Sequence, residues 1–78
     1  METYNSSFTE AQKNAFAIYN MRDAVGLISE RYHISYEEAL LSFANSIVYD
    51  TLFDFETGIY KESPEYLYNL YAYCLNRQ

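Results

Sequence analysis

The 78-residue sequence has few of the residues that interrupt or crosslink a small fold: two Gly, one Pro and one Cys. A single cysteine, Cys74, can form neither an internal disulfide nor a metal site of several thiolates. With 50% hydrophobic residues and so few helix breakers, the composition excludes a disordered or fibrous chain. The length suits one small domain, which its hydrophobic core must hold together.

Long apolar runs and basic residues are also scarce. No run is long enough to span a membrane, and residues 1–20 lack the basic start, apolar stretch and cleavage site of a secretion signal. We therefore expect a cytoplasmic protein with no membrane partner. The net charge is −6, and residues 35–65 contain seven Asp and Glu against Lys61 alone. Because nucleic-acid affinity needs basic side chains that neutralise phosphates, nucleic acid is not an expected partner.

The first helix shows the strongest periodicity. Residues 1–7 carry no pattern and are predicted to be disordered, whereas residues 8–78 are predicted to form a single helical domain. Ser7 and Glu10 fit a capping box, so we predict a helix from Phe8 to about Arg31. Steps of three and four place these residues on one helical face: Phe8, Ala11, Ala15, Ile18, Met21, Val25, Ile28 and Tyr32.

Three further helix starts are predicted along the chain. Ser35 and Glu38 form a second capping box, so a helix starts at Tyr36, and residues 45–46 (Asn-Ser) offer a bend before a short helix over 47–53. One kinked helix is the open alternative. Residues 54–61 are predicted to be an ordered turn with Gly58 at positive φ, and Ser63 and Pro64 start a last helix that ends near residue 76.

These elements predict an all-α, small single-domain bundle of three to four helices with one long N-terminal helix. The apolar surface of the first and last helices exceeds what short neighbours could cover, so we also expect a homodimer.

Residues that could carry out catalysis are few. His33 and Cys74 are the single residues of their types, and neither has a visible orienting partner or oxyanion site. The sequence has no phosphate-binding glycine loop and no zinc-protease motif. We therefore predict that the protein is not an enzyme and has no cofactor and no metal.

Aromatic residues are abundant, with ten Tyr and five Phe. A core this small cannot enclose fifteen rings, so some tyrosines lie at its rim or form an interface. Tyrosines next to a segment with mostly negative charge are suited to binding a basic protein partner. The acidic residues could instead serve only to keep the protein soluble. The predicted partner-binding residues are Glu37, Asp50, Asp54, Glu56, Glu62, Tyr66, Tyr68 and Tyr73.

Residues 31–75 resemble a group of short bacterial proteins of unassigned function, some of which are encoded beside toxin-like genes, including ADP-ribosyltransferase-like ones. The resemblance is carried by Ile34, Ser35, Glu38, Ala39, Leu40, Phe43, Ser46, Tyr49, Leu52, Glu56-Thr57-Gly58-Ile59-Tyr60 and Glu62-Ser63-Pro64. It implies an antitoxin-type or otherwise accessory small protein that acts by binding, with no catalytic residues to transfer. The leading hypothesis is thus an antitoxin-like interaction module that masks a basic surface of a partner. The alternatives are a self-associating structural or regulatory module and a small acidic-site enzyme.

Overall fold

The computed structural model describes residues 8–76, which form four α-helices, two 3₁₀ helices and no strand. In chain order these are α1 (Glu10–Tyr32), α2 (Tyr36–Ala44), α3 (Ile47–Leu52), the 3₁₀ helices η1 (Phe55–Thr57) and η2 (Ile59–Lys61), and α4 (Pro64–Asn76). The predicted all-α class and long N-terminal helix are confirmed. The predicted disordered terminus, residues 1–7, lies outside the described residues.

Helix α1 begins two residues later than predicted, and its N-cap is Thr9 rather than Ser7. The Thr9 hydroxyl accepts the Gln12 backbone N–H at 3.1 Å, and the Gln12 side chain accepts the Thr9 N–H at 2.9 Å. Gln serves as well as Glu at the third position of a capping box, so two overlapping candidate boxes were present in the sequence. The helix ends at Tyr32, followed by His33 in the left-handed conformation at φ 59°.

The middle of the chain forms two helices, which decides between the two alternatives left open by the sequence. The predicted capping box of Ser35 and Glu38 starts α2 and is confirmed. Asn45 and Ser46 separate α2 from α3, and the Ser46 hydroxyl donates to the Phe43 carbonyl at 2.7 Å instead of capping α3. The helical axis therefore breaks at the predicted dipeptide.

The segment between α3 and α4 is the ordered turn that the sequence predicts. Gly58 has φ 78°, while Ile59 and Tyr60 are buried in the core. Asn20 of α1 donates to the Tyr60 carbonyl at 2.9 Å, which fixes η2 against the long helix. Ser63 accepts the Tyr66 backbone N–H at 3.1 Å and so caps α4 as predicted.

One core lies between α1 and the elements packed on it. Helix α1 contacts α2, α4 and η2, and α3 contacts both α2 and α4. Phe43 stacks on Tyr71 at 6.0 Å between ring centroids. The buried residues are Ala17, Ala24, Val25, Ile28, Ala39, Phe43, Val48, Leu52, Ile59, Tyr60, Leu67 and Tyr71.

The single apolar face predicted for α1 is wrong in its N-terminal half. Ala11 and Ile18 are exposed, whereas Ala17 and Ala24, which were not predicted, are fully buried. No residue of α1 before Ala17 is buried, and the molecule is elongated, at 47 × 23 × 18 Å. The predicted face and the face that contains Ala17 and Ala24 both have helical spacing. The positions of the neighbouring elements determine which of the two is buried.

Candidate partner-binding surface

The predicted acidic residues are all exposed, and they lie on different elements of the fold. Asp50 lies in α3, Asp54 caps η1, and Glu56 lies within η1. Glu62 follows η2 and precedes the cap of α4. We call these four residues the acidic surface. Glu37 lies in the first turn of α2, just past the C-terminal end of α1, and is not part of it.

The carboxylates of the acidic surface form no ion pair within residues 8–76. In that part of the chain one ion pair forms, between Arg31 and Glu65. Asp54 accepts the Glu56 backbone N–H at 3.3 Å, which orders the backbone but leaves the charge uncompensated. Like charges this close in sequence repel each other, and a cation from another molecule would relieve that repulsion.

Aromatic rings lie beside two of these carboxylates. Asp54 and Glu56 line a shallow depression together with Phe53 and Phe55, and Glu10 and Lys13 of α1 form its other side. The Phe53 and Phe55 rings are tilted against each other at 6.4 Å, and both are half-buried. A carboxylate next to an aromatic face is a favourable setting for an Arg or Lys side chain.

The three predicted tyrosines of α4 have different surroundings. Tyr66 and Tyr73 are 43% and 60% exposed, and their spacing of seven residues puts them on one face of α4. Tyr68 is half-buried, and its ring packs edge-on against Tyr32 at 6.3 Å. The Arg31 guanidinium covers the Tyr68 ring at 4.6 Å from its centroid. Tyr68 therefore already contributes its ring to the contact between α1 and α4.

Arg31 joins the end of α1 to the start of α4. Its two terminal nitrogens donate to the two carboxylate oxygens of Glu65, at 2.9 and 3.3 Å. The hydrogen bonds from Arg31 lower the pKa of Glu65, and those to Glu65 raise the pKa of Arg31. Burial against the neighbouring tyrosines raises the pKa of Tyr32. Glu65 is thus paired, in contrast to the four carboxylates of the acidic surface.

A groove at the break between α2 and α3 was not predicted from the sequence. It has a volume of about 240 Å³ and is lined by Ser42, Asn45, Ser46, Ile47, Tyr71, Cys74 and Leu75. Ile47 is 60% exposed beside it, and Tyr71 shares a hydrogen bond with the hydroxyl of Ser42. The helix break at residues 45–46 is the feature of the sequence that could have indicated this groove, because it moves Ile47 off the buried face of α2.

His33 and Cys74, the single residues of their types, contribute to the fold. His33 ends α1 with its backbone in the left-handed conformation, and Cys74 is a half-buried free thiol of α4 that packs against the core. Across residues 8–76 no group of three or more His, Cys, Asp or Glu is placed to hold a metal ion. In the same part of the chain no helix combines the length and apolar character needed to cross a membrane.

Comparison with known proteins gave no family model, curated protein or solved structure that matches this chain significantly.

Proposed function

We propose that this protein is a non-enzymatic, antitoxin-like binding protein that uses the acidic surface to mask a basic surface of a partner protein. The observation that carries the proposal is the exposure of four carboxylates, Asp50, Asp54, Glu56 and Glu62, which form no ion pair within residues 8–76. In the same part of the chain, the ion pair that does form involves Glu65, outside this set.

The backbone that carries these carboxylates is well held. The Thr57 hydroxyl donates to the Thr51 and Asp54 carbonyls at 2.9 and 2.8 Å, and Ile59 and Tyr60 anchor the following residues in the core. An ordered surface loses little conformational entropy when a partner binds, so more of the contact free energy remains as affinity.

Aromatic residues supply the contact area that charge alone does not. Phe53 and Phe55 adjoin the Asp54 and Glu56 carboxylates, and Tyr66 presents an exposed ring four residues after Glu62. Exposed charges at a rim act chiefly on the association rate, whereas buried aromatic anchors act on the dissociation rate. The partner chemistry that fits is an Arg- or Lys-rich protein surface.

Co-expression with the product of the adjacent gene tests the proposal. We expect a complex that survives purification and restored growth wherever the adjacent gene alone is toxic. A double variant Asp54→Asn, Glu56→Gln should weaken both effects, because it removes two charges of the acidic surface. The matched control is Asp23→Asn, Glu30→Gln, which removes the same charge from exposed positions of α1. Equal complex formation by both double variants would contradict the proposal.

A further inference from the structure

The groove at the break between α2 and α3 has room for one apolar side chain. Tyr71 and Cys74 line it from the core side, and the exposed side chains of Ile47 and Leu75 border it. Its volume of about 240 Å³ is below the range of about 300–1,000 Å³ that is typical of small-molecule sites. The groove therefore suits a single aliphatic side chain from another molecule better than a whole small-molecule ligand.

The three helices that form the groove carry acidic residues and no basic ones. Within the described residues, α2, α3 and α4 contain no Lys or Arg, and their acids are Glu37, Glu38, Asp50 and Glu65. Glu65 is paired with Arg31 in the first turn of α4, whereas the groove lies at the other end of that helix. The basic residue that follows α4 in the sequence, Arg77, lies outside the described residues.

Two of these acids lie one helical turn from the groove, on either side of the helix break. Glu38 precedes the lining residue Ser42 by four residues in α2, and Asp50 follows the lining residue Ile47 by three residues in α3. Residues at these spacings share a helix face. Both carboxylates are exposed, and neither forms an ion pair within residues 8–76. No lining residue is charged, so an apolar space is flanked by two negative charges.

These charges decide which kind of molecule suits the groove. A second copy docked groove to groove would bring its own Glu38 and Asp50 against the same carboxylates, and like charges repel. A segment that carries Lys or Arg on both sides of an aliphatic residue would instead be attracted. Asp50 also belongs to the acidic surface, so one basic partner can contact both places.

We propose that the groove holds one aliphatic side chain of a basic partner segment, whose Lys or Arg residues face Glu38 and Asp50. This inference rests on the proposed function, because it assigns a second, apolar contact to the same basic partner. The exposed carboxylates act chiefly on the association rate, and the side chain held in the groove acts on the dissociation rate.

Cys74 provides a direct readout of the groove in the unmodified protein, because it is the single thiol of the chain and lines the groove. The rate of its alkylation by iodoacetamide, followed by mass spectrometry, should fall when the groove is occupied. The probes are acetylated, amidated peptides of sequence Lys-Lys-Leu-Lys-Lys, Lys-Lys-Ala-Lys-Lys and Glu-Glu-Leu-Glu-Glu. The basic leucine peptide should slow alkylation at least about twofold at about 5 mM, as a dissociation constant in the millimolar range gives.

The other two peptides separate the apolar contribution from the charge. The basic alanine peptide should need a concentration about 10-fold higher for the same protection, because it buries less apolar surface. The acidic leucine peptide should leave the rate unchanged. No protection by the basic leucine peptide, or equal protection by it and either of the others, would overturn the proposal.

Variants of the protein locate the two contributions. Ile47→Ala should reduce protection by the basic leucine peptide about threefold, whereas Ile18→Ala, an exposed isoleucine of α1, should not change it. Glu38→Gln, Asp50→Asn should also reduce protection, and Gln at position 38 can still complete the capping box of α2. The matched control for charge is Asp23→Asn, Glu30→Gln. Each rate is compared with that of the same variant without peptide, and equal protection of a variant and its control would contradict the assignment.

The co-expressed complex separates failure of this inference from failure of the proposed function. In a complex with the product of the adjacent gene, Cys74 should be alkylated at least about 10-fold more slowly than in the free protein, because a side chain of the partner covers it. A complex that forms through the acidic surface but leaves Cys74 as reactive as in the free protein would refute the groove contact and leave the proposed function intact.

Discussion

Arg31 and Glu65 hold the last turn of α1 against the first turn of α4 through two parallel hydrogen bonds, at 2.9 and 3.3 Å. The Arg31 guanidinium also lies over the Tyr68 ring. This forked contact uses both carboxylate oxygens, which a Lys at position 31 could not match. Both side chains are accessible to water, so the contact defines the orientation of the two helices more than it stabilises the fold.

The Arg31–Glu65 pair makes stability depend on pH in a defined direction. The pKa of Glu65 is lower in the folded protein than its ordinary value of 4.5, so the folded state favours the ionised carboxylate. The contribution is therefore complete above that value and is lost as the pH falls through the lowered pKa. Thermal unfolding of Glu65→Gln should show a small decrease in melting temperature at neutral pH that disappears in acid. Glu37→Gln, in the first turn of α2, is the matched control. A Glu65→Gln deficit that persists at low pH would contradict this assignment.

The hydroxyl of Tyr71 stabilises the core through Ser42. Tyr71 is 4% exposed and shares its hydrogen bond with the partly buried Ser42 hydroxyl. Tyr71→Phe should lower the free energy of unfolding by about 1 kcal/mol, since it removes the hydrogen bond between the Tyr71 and Ser42 hydroxyls. Tyr66→Phe, at a 43% exposed position, should change it little. Urea denaturation of both variants measures the difference, and equal stabilities would be evidence against the hydrogen bond.

The two glycines should respond to alanine in opposite directions. Gly58 has φ 78°, so Gly58→Ala should lower the free energy of unfolding by about 1–2 kcal/mol. Gly26 lies within α1, and a Cβ added there meets nothing within 4 Å. Gly26→Ala should therefore raise the free energy of unfolding by up to about 1 kcal/mol. Chemical denaturation of the pair checks both signs, and destabilisation by Gly26→Ala would mean that this position has a neighbour.

The capping role of Thr9 can be separated from its size. Thr9→Ala removes the acceptor for the Gln12 backbone N–H and should cost about 1 kcal/mol. Thr9→Ser keeps the hydroxyl and should cost much less. Far-UV circular dichroism and urea denaturation report the loss of helix and of stability. If Thr9→Ser were as unstable as Thr9→Ala, the helix would be capped by another residue.

The sequence predicts local features of this fold better than tertiary ones. The cap at Ser35, the break at residues 45–46, the positive φ of Gly58 and the start of α4 at Pro64 depend on a few adjacent residues, and all are confirmed. The start of α1 was misplaced because Ser7 and Thr9 each head a possible capping box. Nothing in the local pattern ranks one box above the other.

Tertiary packing accounts for the features that the sequence could not predict. Ala11 and Ala17 both belong to apolar stripes with helical spacing, but the fold buries Ala17 and leaves Ala11 exposed. For the candidate site, the sequence predicted the acids Asp54 and Glu56 but not the depression that they line together with Glu10 and Lys13 of α1. Whether a tyrosine such as Tyr68 is free or packed depends on residues far away in the chain.

The measurement that tests the proposed acidic surface most directly is the association rate constant with the basic partner, determined at low and high salt. The wild-type rate should fall steeply with salt, because exposed charges are screened within about 8 Å at physiological ionic strength. Glu56→Gln, Glu62→Gln should associate more slowly at low salt and show a weaker salt dependence, whereas Asp23→Asn, Glu30→Gln should behave like wild type. A Glu56→Gln, Glu62→Gln rate equal to wild type at every salt concentration would show that these carboxylates serve solubility and not binding.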